Sequence, residues 1–338
     1  MTLDKRLVGA IGLCLVTGCS SSGDPGNAPD PKGTTGPSVS ASADYENQVV
    51  TLSSDLVIPA GKTVHVGPGV TFEAATGVKI QVEGTLEVDA TDASPTIFTG
   101  SSVDAPAPNA WQGIEVESGG NLVVTHVDIE GAEYGIHAMA GSAYKVDYAV
   151  FGTSFKPAVL EADGSFDHST FHATTPPTIA LTVSVTIDDP NGTMTIIDAS
   201  PTISNSLFDG STPFTDMVRV GGNSIPVFDH VHLTGAHCAF HTSGATNNSP
   251  LVKNSIIENM SYGVMAFTAK PVFENTNFLN NTSDIGFCYG ATADNAPVLN
   301  GNYFLAGDAS FDASCVQVGT TAAGTVSAPI DGAGPVGL

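Results

Sequence analysis

Short runs of alternating apolar and polar residues recur along this chain, and they align with one another. HVDIEG (126–131), DYAVFG (147–152), HSTFHA (168–173), NSLFDG (205–210), HVHLTG (230–235), NSIIEN (254–259), NTNFLN (275–280) and GNYFLA (301–306) each begin on a polar or small residue and carry a large apolar residue at the fourth place. The apolar series is Ile129, Val150, Phe171, Phe208, Leu233, Ile257, Phe278 and Phe304, with a mean spacing of 25 residues. A second apolar position follows seven residues later, at Ile136, Phe240, Val264, Ile285 and Phe311. Strand-length runs repeating every two dozen residues, with no helical period between them, predict the coils of a solenoid. Each coil buries alternate side chains against its neighbours, and equivalent residues stack about 4.8 Å apart. The polar series, His126, Asp147, His168, Asn205, His230, Asn254, Asn275 and Gly301, falls at a turn, where Asn and Asp satisfy local backbone groups.

One step in the series is 37 residues long. The excess over a 21-residue coil is 16 residues, the length of TVSVTIDDPNGTMTII (182–197). Alternation on both sides of Asp-Asp-Pro-Asn-Gly predicts an inserted β-hairpin, with an extra degenerate coil as the alternative. Upstream, IPAGKTVHVGPGVTF (58–72), KIQVEGTLEV (79–88), PTIFTG (95–100) and WQGIEV (111–116) resemble the opening coils of bacterial right-handed parallel β-helix proteins of the pectin-lyase-like superfamily. The resemblance spans roughly residues 49–318 and implies an all-β, right-handed parallel β-helix of roughly eleven coils.

The first residues change the picture of where this solenoid works. Lys5 and Arg6 precede an apolar run, Leu7–Val16, that is too short to span a bilayer. Val16-Thr17-Gly18-Cys19 then resembles a bacterial lipobox, which implies cleavage before Cys19 and its lipidation, palmitate included. The Ser-, Gly- and Pro-rich stretch that follows reads as a disordered tether. The expected organisation is a signal peptide (1–18), a lipidated Cys and tether (19–44), a β-helix (45–319) and a flexible C-terminal tail (320–338). Ser20 after the Cys favours the outer membrane by analogy with enteric sorting.

Net charge is −24, from 10 Lys+Arg against 34 Asp+Glu, which excludes a nucleic-acid partner. Calcium would be attracted to such a surface, yet no residue pattern assigns it or any other cofactor a site. Enzymes of the resembled superfamily use carboxylate clusters with Arg or Lys, or several Asp with His-Gly and Arg-Ile-Lys. After the signal, Arg219 is the lone arginine, and neither motif occurs. No catalytic residue is therefore assigned. His237-Cys238-x-x-His241 lacks a strong zinc spacing, and alternation puts Cys238 on the face opposite the two imidazoles, so no metal site is assigned either. His126, Asp147 and His168 form the one place where a carboxylate falls between two imidazoles on successive coils, a weak candidate for binding. Trp111, the single tryptophan, is a second weak candidate as a sugar platform, with core packing as the default. Cys288 and Cys315 lie 27 residues apart at nearly equivalent places on the last coils, which suggests a disulfide with Cys238 free. The alternative is three buried thiols.

The expected function is a cell-surface lipoprotein presenting a rigid non-catalytic β-helix for adhesion, polysaccharide binding or envelope scaffolding, with the membrane, extracellular polysaccharide or other envelope proteins as partners. The alternative is a divergent polysaccharide lyase or glycoside hydrolase. Cys19→Ala is expected to abolish labelled-palmitate uptake and envelope retention; a variant that keeps both would contradict the lipid anchor.

Overall fold

The computed structural model describes residues 44–101, 109–173, 192–210, 215–242, 248–288, 290, 292–293 and 296–338. Residues 1–43, where the expected signal peptide, Cys19 and nearly all of the expected tether fall, lie outside the described residues. The rest is all β apart from one short helix, Ala313–Gln317. The strands form three parallel stacks, and the chain visits them in the same order on each turn. The first stack opens at Asp44–Tyr45 and runs through Thr63–Val66 to Thr321–Ala323. The second runs from Val49–Leu52 to Tyr303–Phe304. The third is a ten-stranded sheet from Leu56–Ile58 to Ser283–Gly286. In two coils, Asn121–Ile129 and Ala143–Phe151, one long strand serves both the first and second stacks. The fold is thus a parallel β-solenoid of about ten turns. The sequence spacing suggests roughly eleven.

Alternation makes these strands: Thr71–Ala74 and Lys79–Val82 bury every second residue. The inward column of the second stack is a ladder of rings. Phe72 stacks on Phe98 with centroids 5.1 Å apart, Phe151 on Phe171 at 4.8 Å, Phe171 on Phe208 at 4.6 Å and Phe278 on Phe304 at 5.1 Å. These separations match the strand spacing, so each ring covers the next without moving the backbone. The third-stack column is Ile136, Ala158, Met194, Val218, Phe240, Val264 and Ile285, with Phe311 bridged to the last.

Between the first and second stacks the chain turns through a left-handed residue. His126, Tyr148, His168, Asn205, His230, Asn254 and Asn275 have φ between +45° and +55°, and Gly301 +66°. Asn tolerates this region and Gly adopts it freely, whereas a bulky side chain is strained there. The turn removes amide groups from the ladder. Side-chain oxygens of the following coil replace the lost partners: Ser169 Oγ accepts from the Ala149 amide at 3.3 Å, Ser206 Oγ from Ser169 at 3.1 Å and Asn302 Oδ1 from Thr276 at 2.9 Å.

The structure corrects four expectations. Phe151, not Val150, is in register with Ile129 and Phe171, and Val150 is exposed. Tyr148 accordingly replaces Asp147 at the corner. A one-residue slip in a strand exchanges its faces, and spacing alone had hidden it. Gly192–Ile197 is a third-stack strand between Lys156–Leu160 and Asp216–Gly221, not the return arm of a hairpin; residues 182–191 lie outside the described residues. In the segment 320–338, read as a flexible tail, Thr321–Ala323 is a first-stack strand and residues 330–336 run back along the corners. Ile330 exchanges hydrogen bonds with the Asn277 side chain, the Gly334 amide donates to Asn254 O, and the Val336 amide donates to Asn205 Oδ1.

Cys288 and Cys315 are joined by a disulfide with Cα atoms 4.8 Å apart, and Cys238 is free and buried. Asp312 caps the short helix that carries Cys315, its carboxylate accepting from the Ser314 and Cys315 amides. Closing this 27-residue loop is worth about 3–4 kcal/mol on a chain-entropy account. Non-reducing peptide mapping should link Cys288 to Cys315 and leave Cys238 alkylatable only after denaturation; a bond involving Cys238 would contradict the fold. Phe278 is 1% exposed between Phe273 and Phe304. Phe278→Ala should destabilise by about 3–5 kcal/mol in urea unfolding, and a loss under about 1 kcal/mol would place the ring outside the core.

Candidate functional site

The corner column becomes unusual on three successive coils. Where the later coils use Asn, Gly301 or the single His230, these carry three rings in succession, His126, Tyr148 and His168. Their rings stack on one another. His126 and Tyr148 centroids are 4.7 Å apart with an interplanar angle of 5°, and Tyr148 and His168 are 4.6 Å apart at 13°. Tyr148 at φ +49° is a bulky residue in a region that disfavours it. Its two ring faces are covered by imidazoles, which offsets part of that strain through ring stacking. What faces outward is the set of ring edges, with Tyr148 39% exposed.

These edges line an open cavity of about 600 Å³. Asp92, Asp128 and Thr170 add polar groups, and Val150, Gly337 and Leu338 add apolar surface. Val150 is in register with Asp128, so the slip that took Val150 out of the core is what puts it in the cavity wall. Partial burial raises the Asp128 carboxyl above the ordinary range. Behind the rings, His168 Nδ1 lies 3.2 Å from Asp167 Oδ2 and 3.5 Å from Asp147 Oδ1. Burial acts to raise Asp167, but hydrogen bonds from Asn205 Nδ2 at 2.9 Å and Ser204 Oγ at 2.7 Å outweigh it and hold the carboxylate below its usual value.

The structure therefore brings His126 and His168 to one site, but with a phenol between them. Asp147 sits beside His168 and does not separate the imidazoles. The signal that could have found Tyr148 was aromatic: aligning YAVFGT (148–153) instead puts Phe151 under Phe171. Trp111 has no part in this site. It is 1% exposed, and its indole N–H donates to Glu130 O at 2.8 Å, so no sugar can stack on it.

On the third stack, three further charged pairs form. Lys79 meets Glu115, His137 lies 3.2 Å from Glu161, and Arg219 lies 3.1 Å from Asp216. The arginine that a lyase-like site would need is thereby committed to a neighbouring carboxylate. No protein-family model matches the chain, and neither a curated protein nor a solved structure matches it.

Proposed function

We propose that this chain is a lipid-anchored cell-surface protein of the outer membrane whose solenoid is a non-catalytic binding body. Its ligand is a neutral polysaccharide held in the cavity beside Tyr148. The observation that carries this reading is the cavity of about 600 Å³ edged by the His126–Tyr148–His168 stack and the Asp92 and Asp128 carboxylates. Ring edges and carboxylates together offer hydrogen-bond donors and acceptors to a ligand rich in hydroxyls. The wall formed by Val150 and Leu338 gives the C–H faces of a sugar an apolar surface to rest on. Several carboxylates in and behind the cavity, on a chain of net charge −24, repel an acidic polymer. A tether after a lipidated Cys19 holds such a body clear of the membrane, where an extended polysaccharide can reach it.

Glycan-array binding tests this with two variants. Tyr148→Asn removes the phenol while keeping a residue that suits the left-handed corner, and Asp128→Asn removes one carboxylate. Neutral glycans should bind the parent protein, and each variant should lose about tenfold in affinity, equivalent to about 1.4 kcal/mol. Absence of glycan binding, or unchanged binding by Tyr148→Asn, would overturn the assignment. Release of reducing ends or unsaturated products from a polysaccharide would turn it toward an enzyme.

A further inference from the structure

Away from the cavity, the third stack holds a second cluster of chemistry-bearing groups. Asp216 opens the strand Asp216–Gly221, and its register partner one coil on is Cys238, the first residue of Cys238–Thr242. Asp216 is 5% exposed and Cys238 fully buried. A buried carboxylate must be matched by donors or by a cation. Here four side chains converge on it and divide between its two oxygens. Oδ1 lies 3.1 Å from His237 Nδ1 and 3.0 Å from Cys238 Sγ. Oδ2 lies 2.8 Å from His241 Nδ1 and 3.1 Å from Arg219 Nη1.

Sequence alternation missed this convergence because it treated residues 237–241 as one strand. His237 instead precedes the strand, so its ring and the Cys238 thiol turn toward the same oxygen. One ligand atom from each of Asp216, His237 and Cys238 lies within 4.8 Å of the others. Ligand atoms around a tetrahedral zinc stand about 3.3–3.6 Å apart, given bonds of about 2.0–2.3 Å, so small side-chain adjustments close the set around one ion.

We infer that Asp216, His237 and Cys238 form a binding site for a transition-metal ion of the zinc class. The donor set decides the class. A thiolate with an imidazole and one carboxylate suits zinc, whereas calcium and magnesium require oxygen ligands throughout. His241 and Arg219 hold the second carboxylate oxygen and so orient Asp216 as outer-sphere partners. The side chain of His237 is 37% exposed and gives the ion its way in, while Asp216 and Cys238 form the floor. Three protein ligands leave the fourth position to water or to a small exogenous ligand. Binding releases the thiol proton to solvent, sends the proton on the ligating His237 nitrogen to its other ring nitrogen or to solvent, and replaces the hydrogen bonds to Asp216 Oδ1 with bonds to the metal.

The test is titration of the full-length, chelator-stripped protein with Co²⁺, followed by displacement with Zn²⁺. The expected result is a near-ultraviolet thiolate-to-cobalt charge-transfer band that saturates at one metal per chain and disappears on adding zinc. Cys238→Ser should abolish the band. His237→Ala should weaken binding at least about tenfold, as loss of one ligand does. His172→Ala, at a half-buried histidine on another stack, should leave the titration unchanged. Because Cys238 is buried and its replacement could impair folding, His237→Ala also serves as the decisive variant: zinc should raise the unfolding temperature of the parent chain and not that of His237→Ala. Absence of the band, or metal stabilisation that survives His237→Ala unaltered, would overturn the site.

Discussion

The structure depends on one constraint: from His126 to Gly301, successive coils must place the same position of the repeat at the left-handed corner between the first and second stacks. Side chains alternate along each strand with a period of two, so where the corner falls decides which set faces inward. A coil that reaches its corner one residue early presents its polar set to the interior. The corner residues, mostly His and Asn at φ near +50°, hold that phase from His126 to Asn275. The ring ladder follows three residues later, with Ile129, Phe151, Phe171, Phe208 and Leu233 falling above one another. The buried Ser, Thr and Asn residues after the corners then satisfy the amides that the turn displaces.

The same constraint builds the candidate site. A corner column is a line along the solenoid where outward side chains of successive coils stack at the strand spacing. Filled with Asn, it knits the coils: Asn254 donates to Asp229 and Asn205 to Asp167, each at 2.9 Å. Filled with rings, it becomes a continuous edge of donors beside an open cavity. The chain accepts a strained Tyr148 at that place, and strain held in one residue by its surroundings is a recurrent mark of a functional position. Residues 330–338 run along the Asn portion of the column and reach His168, where Gly337 and Leu338 form part of the cavity wall.

The coil period and the two apolar columns were legible in the sequence because burial selects large apolar residues at fixed phase. The corner was legible too, through His126, Asn205, His230, Asn254 and Asn275. Gly131, Gly235, Asn259 and Asn280 close four of the same repeats, and they occupy a second left-handed position before the third stack. What spacing could not resolve was the phase within one coil. Asp147 and Tyr148 are both acceptable first residues by polarity, and only ring-on-ring packing distinguishes them. Gly192–Ile197 was misread because alternation is identical in a hairpin arm and in a coil strand. The Asp216 cluster was hidden for a different reason: it joins residues one coil apart through a break in alternation at His237, which local pattern does not encode.

The register around Tyr148 is the claim on which both the fold and the cavity rest, and engineered cross-linking measures it directly. Asp128 and Val150 are register partners on neighbouring strands, whereas simple repeat spacing pairs Ile129 with Val150. Neighbouring parallel strands bring register partners to about 4.8 Å, inside the Cα range for a disulfide. The double variant Asp128→Cys/Val150→Cys should therefore oxidise to an intrachain disulfide, seen by non-reducing peptide mapping, while Ile129→Cys/Val150→Cys should not. Cross-linking of the second pair and not the first would contradict the corner assignment and, with it, the ring stack and the cavity.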